Sequence, residues 1–159
     1  MVYVLEIDYE KCTGCQCCTI ACALKRERIS NPRLGRIQPA RWEEEGVHIP
    51  IVCRQCEDAP CQQVCPVDAL PRDPVTKVVN VDYDRCIGCR MCVIACPFGA
   101  MIVNPLTNKI LKCDHCDGDP ICVKVCRNEA VKYVPLTKSL YAKRMTGSQK
   151  LQELMETTT

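Results

Sequence analysis

Cys86-Ile-Gly-Cys89-Arg-Met-Cys92-Val-Ile-Ala-Cys96-Pro97 is the stretch from which the rest of the chain can be read. Its spacing is C-x2-C-x2-C-x3-C-P, and three other groups repeat it with small changes: Cys12-x2-Cys15-x2-Cys18-x3-Cys22, Cys53-x2-Cys56-x4-Cys61-x3-Cys65-Pro66 and Cys113-x2-Cys116-x5-Cys122-x3-Cys126. Sixteen of the 17 cysteines fall into these groups, and only Cys17 is left over. At this chain's Cys frequency, three more cysteines at fixed offsets from a given one arise by chance roughly once in a thousand. Four such groups are therefore an internal repeat.

Composition says why the repeat matters. The 159 residues are 47% hydrophobic only when the 17 cysteines are counted, and they include one Phe and one Trp. An ordinary core for a chain of this length needs more aliphatic and aromatic mass. Disulfides or thiolate-bound metal must supply the difference. Disulfides fit poorly: 17 is odd, and Met1 to Asp8 contains no basic region, twin arginine or cleavage site that would mark export. Structural zinc uses C-x2-C pairs about 12 to 20 residues apart, whereas here the third Cys follows after two, four or five residues. A radical-generating C-x3-C-x2-C loop is also absent, because Lys25, Asp68, Gly99 and Glu129 stand where it would need another Cys. Iron–sulfur chemistry remains, and sixteen thiolates at four per cluster imply four [4Fe–4S] clusters.

The spacing is that of two-cluster bacterial ferredoxins, and its logic is geometric. The first three thiolates hold one cubane from a tight loop, and the fourth, a helical turn later, reaches the neighbouring cluster. The following proline ends the helix. Crossing the groups in this way predicts four quartets: A (Cys12, Cys15, Cys18 with Cys126), B (Cys113, Cys116, Cys122 with Cys22), C (Cys53, Cys56, Cys61 with Cys96) and D (Cys86, Cys89, Cys92 with Cys65).

The predicted fold is α+β: two bacterial-ferredoxin-like units of short strands, cluster loops and short helices, one inserted in the other. Residues 1–28 and 104–137 form the outer unit, 29–103 an inserted loop region with the inner unit, and 138–159 a helical tail. Strands are predicted at Val2 to Asp8, Lys77 to Asp82, before Val103 and at Ala130 to Val134, from their β-branched content. The segment from Ile29 to Val52, with Pro32, Pro39, Pro50 and Trp42, reads as loops around one strand that cover a cluster or dock a partner. Cys22 lacks a following proline, so its helix runs on through Ala23 to Glu27.

Several function classes fall away. No run of 18 apolar residues exists for a membrane span, and a net charge of +2 carries no nucleic-acid signature. Each oxidised cluster with its thiolates adds −2, which takes the chain to about −6. Much of the Lys and Arg is then local compensation. Arg54, Arg85, Arg90, Lys112 and Arg127 adjoin ligands and are candidates for tuning potentials. No dinucleotide fingerprint, phosphate loop or nucleophilic triad is visible, so no catalytic site is expected in this chain. His115, between Cys113 and Cys116, is read as an outer neighbour of a cluster or a surface residue, and Cys17 as a buried or helix-facing thiol. Cys-rich sequence without an export signal places the chain in a reducing cytoplasm.

The run Gly46-Val-His-Ile-Pro-Ile-Val-Cys-Arg-Gln-Cys-Glu-Asp-Ala-Pro-Cys61, followed by Cys65-Pro66 and Cys86 to Ala100, resembles the four-cluster iron–sulfur subunits of the dimethyl sulfoxide reductase and formate dehydrogenase type. The resemblance extends from about Tyr3 to Val134. It implies an electron-transfer subunit that serves a large catalytic subunit holding molybdenum or tungsten on pterin. The absence of an anchor makes it also similar to the small subunits of tungsten aldehyde oxidoreductases and the related benzoyl-CoA reductases of anaerobes. Such a chain would work in a hetero-oligomer, exchanging electrons with a flavin subunit or a soluble ferredoxin. The alternative is a free, diffusible polyferredoxin serving several enzymes. Ala23 and Arg127 in place of proline, and the extra Cys17, depart from the family pattern.

Overall fold

The computed structural model describes residues 2–136; the tail expected over 138–159 lies outside them. Strand β1 (Tyr3–Ile7) pairs antiparallel with β6 (Val131–Pro135), in register from Tyr3 opposite Pro135 to Ile7 opposite Val131. Val4, Leu5 and Val131 are buried there. Two β-branched runs far apart in sequence thus meet because each has an apolar face to cover.

Helix α1 (Cys17–Glu27) is the long one, and it ends at Arg28 in the left-handed region. Helices α2 (Pro60–Gln63), α3 (Met91–Ile94) and α4 (Ile121–Lys124) have four residues each. The third cysteine of every group, Cys18, Cys61, Cys92 or Cys122, is the second residue of its helix. Proline is not what shortens α4, since Arg127 follows Cys126. The three short helices share a different device: Asp68, Gly99 and Glu129, each three residues after the fourth cysteine, turn the chain at φ 48°, 58° and 51°. In α1 the corresponding residue, Lys25, is helical.

The segment from 29 to 52 holds two strands, not one. β2 (Ile37–Trp42) and β3 (Val47–Val52) form an antiparallel hairpin in which Pro39 faces Pro50. A two-stranded hairpin leaves each strand one free edge, so a missing N–H is tolerated. That is why the prolines did not break it. The expected strand from Lys77 to Asp82 shrinks to a single bridge, Arg72 to Val79. An aspartate turn takes the residues before it: Asp73 Oδ1 accepts from Val75 N at 2.9 Å and Thr76 N at 2.6 Å. Asn104 Oδ1 repeats this with Leu106 N at 2.8 Å and Thr107 N at 3.3 Å, joining β4 (Ile102–Val103) to β5 (Ile110–Leu111). Asp73-Pro-Val-Thr and Asn104-Pro-Leu-Thr are thus the same turn written twice.

Aliphatic side chains form walls around thiols. Leu5, Ile37, Val52 and Val131 pack with Cys22, Cys113 and Cys122. Ala59, Leu70, Val79, Met101 and Ile110 pack with Cys92. Ala23, Leu34 and Leu111 make a third small cluster. By packing, the hairpin residues Ile37 and Val52 join the elements near both chain ends, and Ile110 joins the elements between them. Among the described residues, no helix is long and apolar enough to cross a membrane.

Candidate iron–sulfur sites

Each site starts from a loop closed by two cysteines. The residue before the second cysteine has positive φ in all four loops: Gly14 65°, Gln55 48°, Gly88 71° and His115 57°. Glycine occupies this conformation without strain at Gly14 and Gly88. Such turns point successive backbone N–H groups inward and make a cradle for anions.

Two cavities coincide with two predicted quartets. Cys53, Cys56, Cys61 and Cys96 line one that is partly open to solvent. Cys22, Cys113, Cys116 and Cys122 line another. In each, three cysteines come from one group and the fourth from another, far away in sequence. For the remaining quartets the neighbours are partial. Cys18 has Cys15 and Cys12 among the charges acting on it, and Cys126 packs beside the same core as Cys18. Asn128 Nδ2 donates to the Lys11 carbonyl at 3.2 Å, holding the exit of the last group against the first loop. Cys92 faces Cys86 and Cys89, with Cys65 packed on the same core.

Electrostatic influence between the thiols of different quartets gives an order. Cys122 also feels Cys18, Cys113 feels Cys53, and Cys92 feels Cys61. These links join A to B, B to C and C to D. The loop cysteines Cys15 and Cys89 are exposed, whereas Cys113, Cys116, Cys122 and Cys22 are buried.

Burial pushes Cys18 and Cys92 up to about 11 and Cys122 up to about 12, and drives Cys113 well above its ordinary value. Buried thiols of this kind become thiolates only against a positive partner. Backbone donors to sulfur are in place: Arg36 N to Cys22 Sγ at 3.3 Å and Ala69 N to Cys65 Sγ at 3.2 Å. The Cys17 N–H holds the Cys15 thiol below its ordinary value. Among the described residues, no three His, Cys, Asp or Glu side chains converge on a single ion. Quartets B and C each surround a volume rather than a point, and with the loop cradles and the N–H···S bond on Cys22 they fit [4Fe–4S] groups.

Arginines brace the loops. Arg36 reaches Asp114 at 2.8 Å and Glu27 at 3.4 Å, and Arg26 reaches Asp114 at 2.7 Å; Asp114 lies between Cys113 and Cys116. Arg72 donates to the carbonyls of Cys56 at 2.6 Å and Glu57 at 3.1 Å, and to Gln62 Oε1 at 3.0 Å.

Of the five cations singled out by sequence, Lys112 is buried, Arg54 is half-buried with its guanidinium over Phe98, and Arg85, Arg90 and Arg127 are exposed. His115 is buried, edge-on to Tyr133 with ring centroids 5.5 Å apart. Cys17, expected to be buried or helix-facing, is exposed, because it opens α1 on the side away from the core. Sequence reading missed Gln55 and Arg36. Aligning the four loops exposes Gln55, which stands where two of the other loops have glycine. Arg36 leaves no local signal, since its partners come from distant segments.

A family model described as a 4Fe-4S dicluster domain matches residues 45–136, and one described as a 4Fe-4S binding domain matches residues 9–25. The chain is 40% identical to a ferredoxin of Methanocaldococcus jannaschii, covering 84% of this chain and 73% of that protein. It is 38% identical to the thiosulfate reductase electron transfer subunit of Salmonella typhi, covering 86% and 78%. Among solved structures, it resembles a chain of the active site complex of benzoyl coenzyme A reductase bound to 1,5-dienoyl-CoA. That match has a TM-score of 0.51 and 26% identity, covering 86% of this chain and 79% of that one. With the cysteine loops, these likenesses establish multiple [4Fe–4S] clusters as the cofactors.

Proposed function

Because the chain belongs to the family of [4Fe–4S] ferredoxin-like electron-transfer proteins, we propose that it is a non-catalytic subunit passing single electrons through four clusters, to or from a tungsten- or molybdenum-pterin catalytic subunit. When bound, a [4Fe–4S] cluster supplies one-electron exchange at a potential set by its surroundings. The ligand sets are quartets A to D, with an outer unit of 1–28 and 104–137 around 29–103. The pairing of β1 with β6, one from each part of the outer unit, supports that nesting.

One observation carries the reading: two cavities, each lined by three cysteines of one group and one of another, with thiols that act on one another electrostatically from A through B and C to D. The residues divide the work accordingly. Buried quartet B and the walls of Ile37, Val52 and Val131 exclude water from the middle of the path. Exposed Cys15 and Cys89 bring its two ends to the surface, where partners would exchange electrons. Backbone N–H groups on Cys22 and Cys65 stabilise added negative charge and raise potentials, while burial lowers them.

Likeness to an electron transfer subunit and to a chain of an active site complex supports a hetero-oligomer. The cysteine-motif resemblance supports a pterin-bound metal in the partner, an oxidoreductase of the aldehyde/carboxylate type, a flavin subunit or soluble ferredoxin at the other end, and a cytoplasmic location. A free polyferredoxin is the second reading, favoured by the 40% identical ferredoxin.

Anaerobic purification of the complex from native cells decides between them. Sixteen irons and sixteen sulfides per chain, co-eluting with tungsten or molybdenum, are expected. Iron near eight per chain rejects the outer quartets, and an iron-loaded monomer without tungsten or molybdenum that reduces several enzymes rejects the subunit reading.

A further inference from the structure

Lys112 is 3% exposed. Its Nζ donates to the Val79 carbonyl at 2.5 Å, to Gln55 Oε1 at 3.0 Å and to the Cys113 carbonyl at 3.5 Å. All three acceptors are neutral, and among the described residues no carboxylate pairs with it. A buried ammonium served only by dipoles is costly unless an anion lies close. The anions on hand are sulfurs. Lys112 lines the cavity of Cys53, Cys56, Cys61 and Cys96, and its neighbour in sequence, Cys113, lines the cavity of quartet B.

Gln55 ties the junction together. It belongs to the Cys53–Cys56 loop, accepts from Lys112 and from Val79 N at 2.9 Å, and donates from Nε2 to the Cys113 carbonyl at 2.7 Å. A hydrogen-bonded route therefore runs from the loop of quartet C to a ligand of quartet B, with one uncompensated positive charge on it.

We infer that Lys112 sets the step in potential between the clusters of quartets B and C, by raising the reduction potential of the cluster whose cavity it lines. Reduction adds one negative charge to that cluster, and a fixed cation in a low-dielectric wall favours the charged state. The inference rests on the proposed quartets, and it makes Lys112 a tuning residue rather than a ligand.

The test is a potentiometric titration of anaerobic holoprotein followed by electron paramagnetic resonance, on Lys112→Met, Lys112→Gln and Lys112→Arg. Arg41→Met serves as a control, removing an exposed charge on the hairpin. With iron content unchanged, Met and Gln should each weaken reduction of one cluster at least tenfold, which is about 59 mV for one electron. Arg should restore most of the shift, and Arg41→Met should leave all four clusters in place. Unaltered titrations in variants with full iron overturn the inference and leave the electron-transfer reading intact. Native protein with iron near eight per chain overturns that reading instead. If Met and Gln both fail to hold iron, Lys112 is a structural amine and the tuning role is rejected.

Discussion

Gly14 and Gly88 occupy the same place in two loops and the same backbone conformation, at φ 65° and 71°. Alanine at either position should cost roughly 1–2 kcal/mol for the left-handed backbone. Their surroundings differ. A Cβ on Gly88 would meet nothing within 4 Å, whereas a Cβ on Gly14 would lie 2.7 Å from His48 Cγ, 2.8 Å from Nδ1 and 2.9 Å from Cδ2. Those atoms are the near edge of a ring anchored on β3, so the ring or the cysteine loop must move. Overpacking of this kind adds roughly 1–3 kcal/mol. Gly14→Ala should therefore cost about 2–5 kcal/mol and Gly88→Ala about 1–2. His48 Nδ1 is buried without a hydrogen-bond partner, so truncating the ring removes an obstacle and no hydrogen bond at that atom. In Gly14→Ala/His48→Ala, the excess cost of Gly14→Ala should disappear, leaving a coupling of roughly 1–3 kcal/mol. The assay is anaerobic thermal bleaching of the visible cluster absorbance, with iron measured before heating. At roughly 2–4 °C per kcal/mol for a chain of this size, Gly14→Ala should bleach about 2–12 °C below Gly88→Ala. Equal losses in the two alanine variants, or no relief from His48→Ala, would refute the idea that the hairpin is wedged against the first cysteine loop.

Three other outcomes test the ligand sets and the packing. Cys65→Ser should perturb the cluster of Cys86, Cys89 and Cys92, read as loss of one paramagnetic signal; selective loss of the Cys53, Cys56 and Cys61 cluster would disprove the crossing. Chelating the iron should abolish most circular dichroism of the fold, because thiols occupy the places where an ordinary core has aliphatic side chains; a chelated protein that keeps its native spectrum would show that the aliphatic walls suffice. Leu34→Ala, at a site 0% exposed and packed on Ala23 and Leu111, should cost about 2–5 kcal/mol, seen as earlier bleaching with iron content unchanged.

Cysteine spacing alone carried the cofactor chemistry, because tetrahedral iron and a cubane impose offsets that few other functions need. It also located the four loops and the helical turn in each, while β-branched content located strands β1, β4 and β6. Local signals failed where contacts were non-local. Pro39 and Pro50 hid a hairpin, since proline speaks only for its own N–H, whereas register depends on the strand opposite. Asp73 hid the shortening of a strand, since its turn takes the residues just before Lys77 and only Val79 is left in a bridge. Cys17 resembled its ligand neighbours in type, and only the direction of α1 set it apart as exposed. Likewise Lys112 and Arg127 are both cations beside a cysteine in the sequence, yet one is buried at the junction of two cavities and the other stands in solvent. Composition and spacing determine which chemistry the chain can host. Which charges act on it is decided by the folded structure, because burial and dielectric arise only when distant segments close over the same thiols.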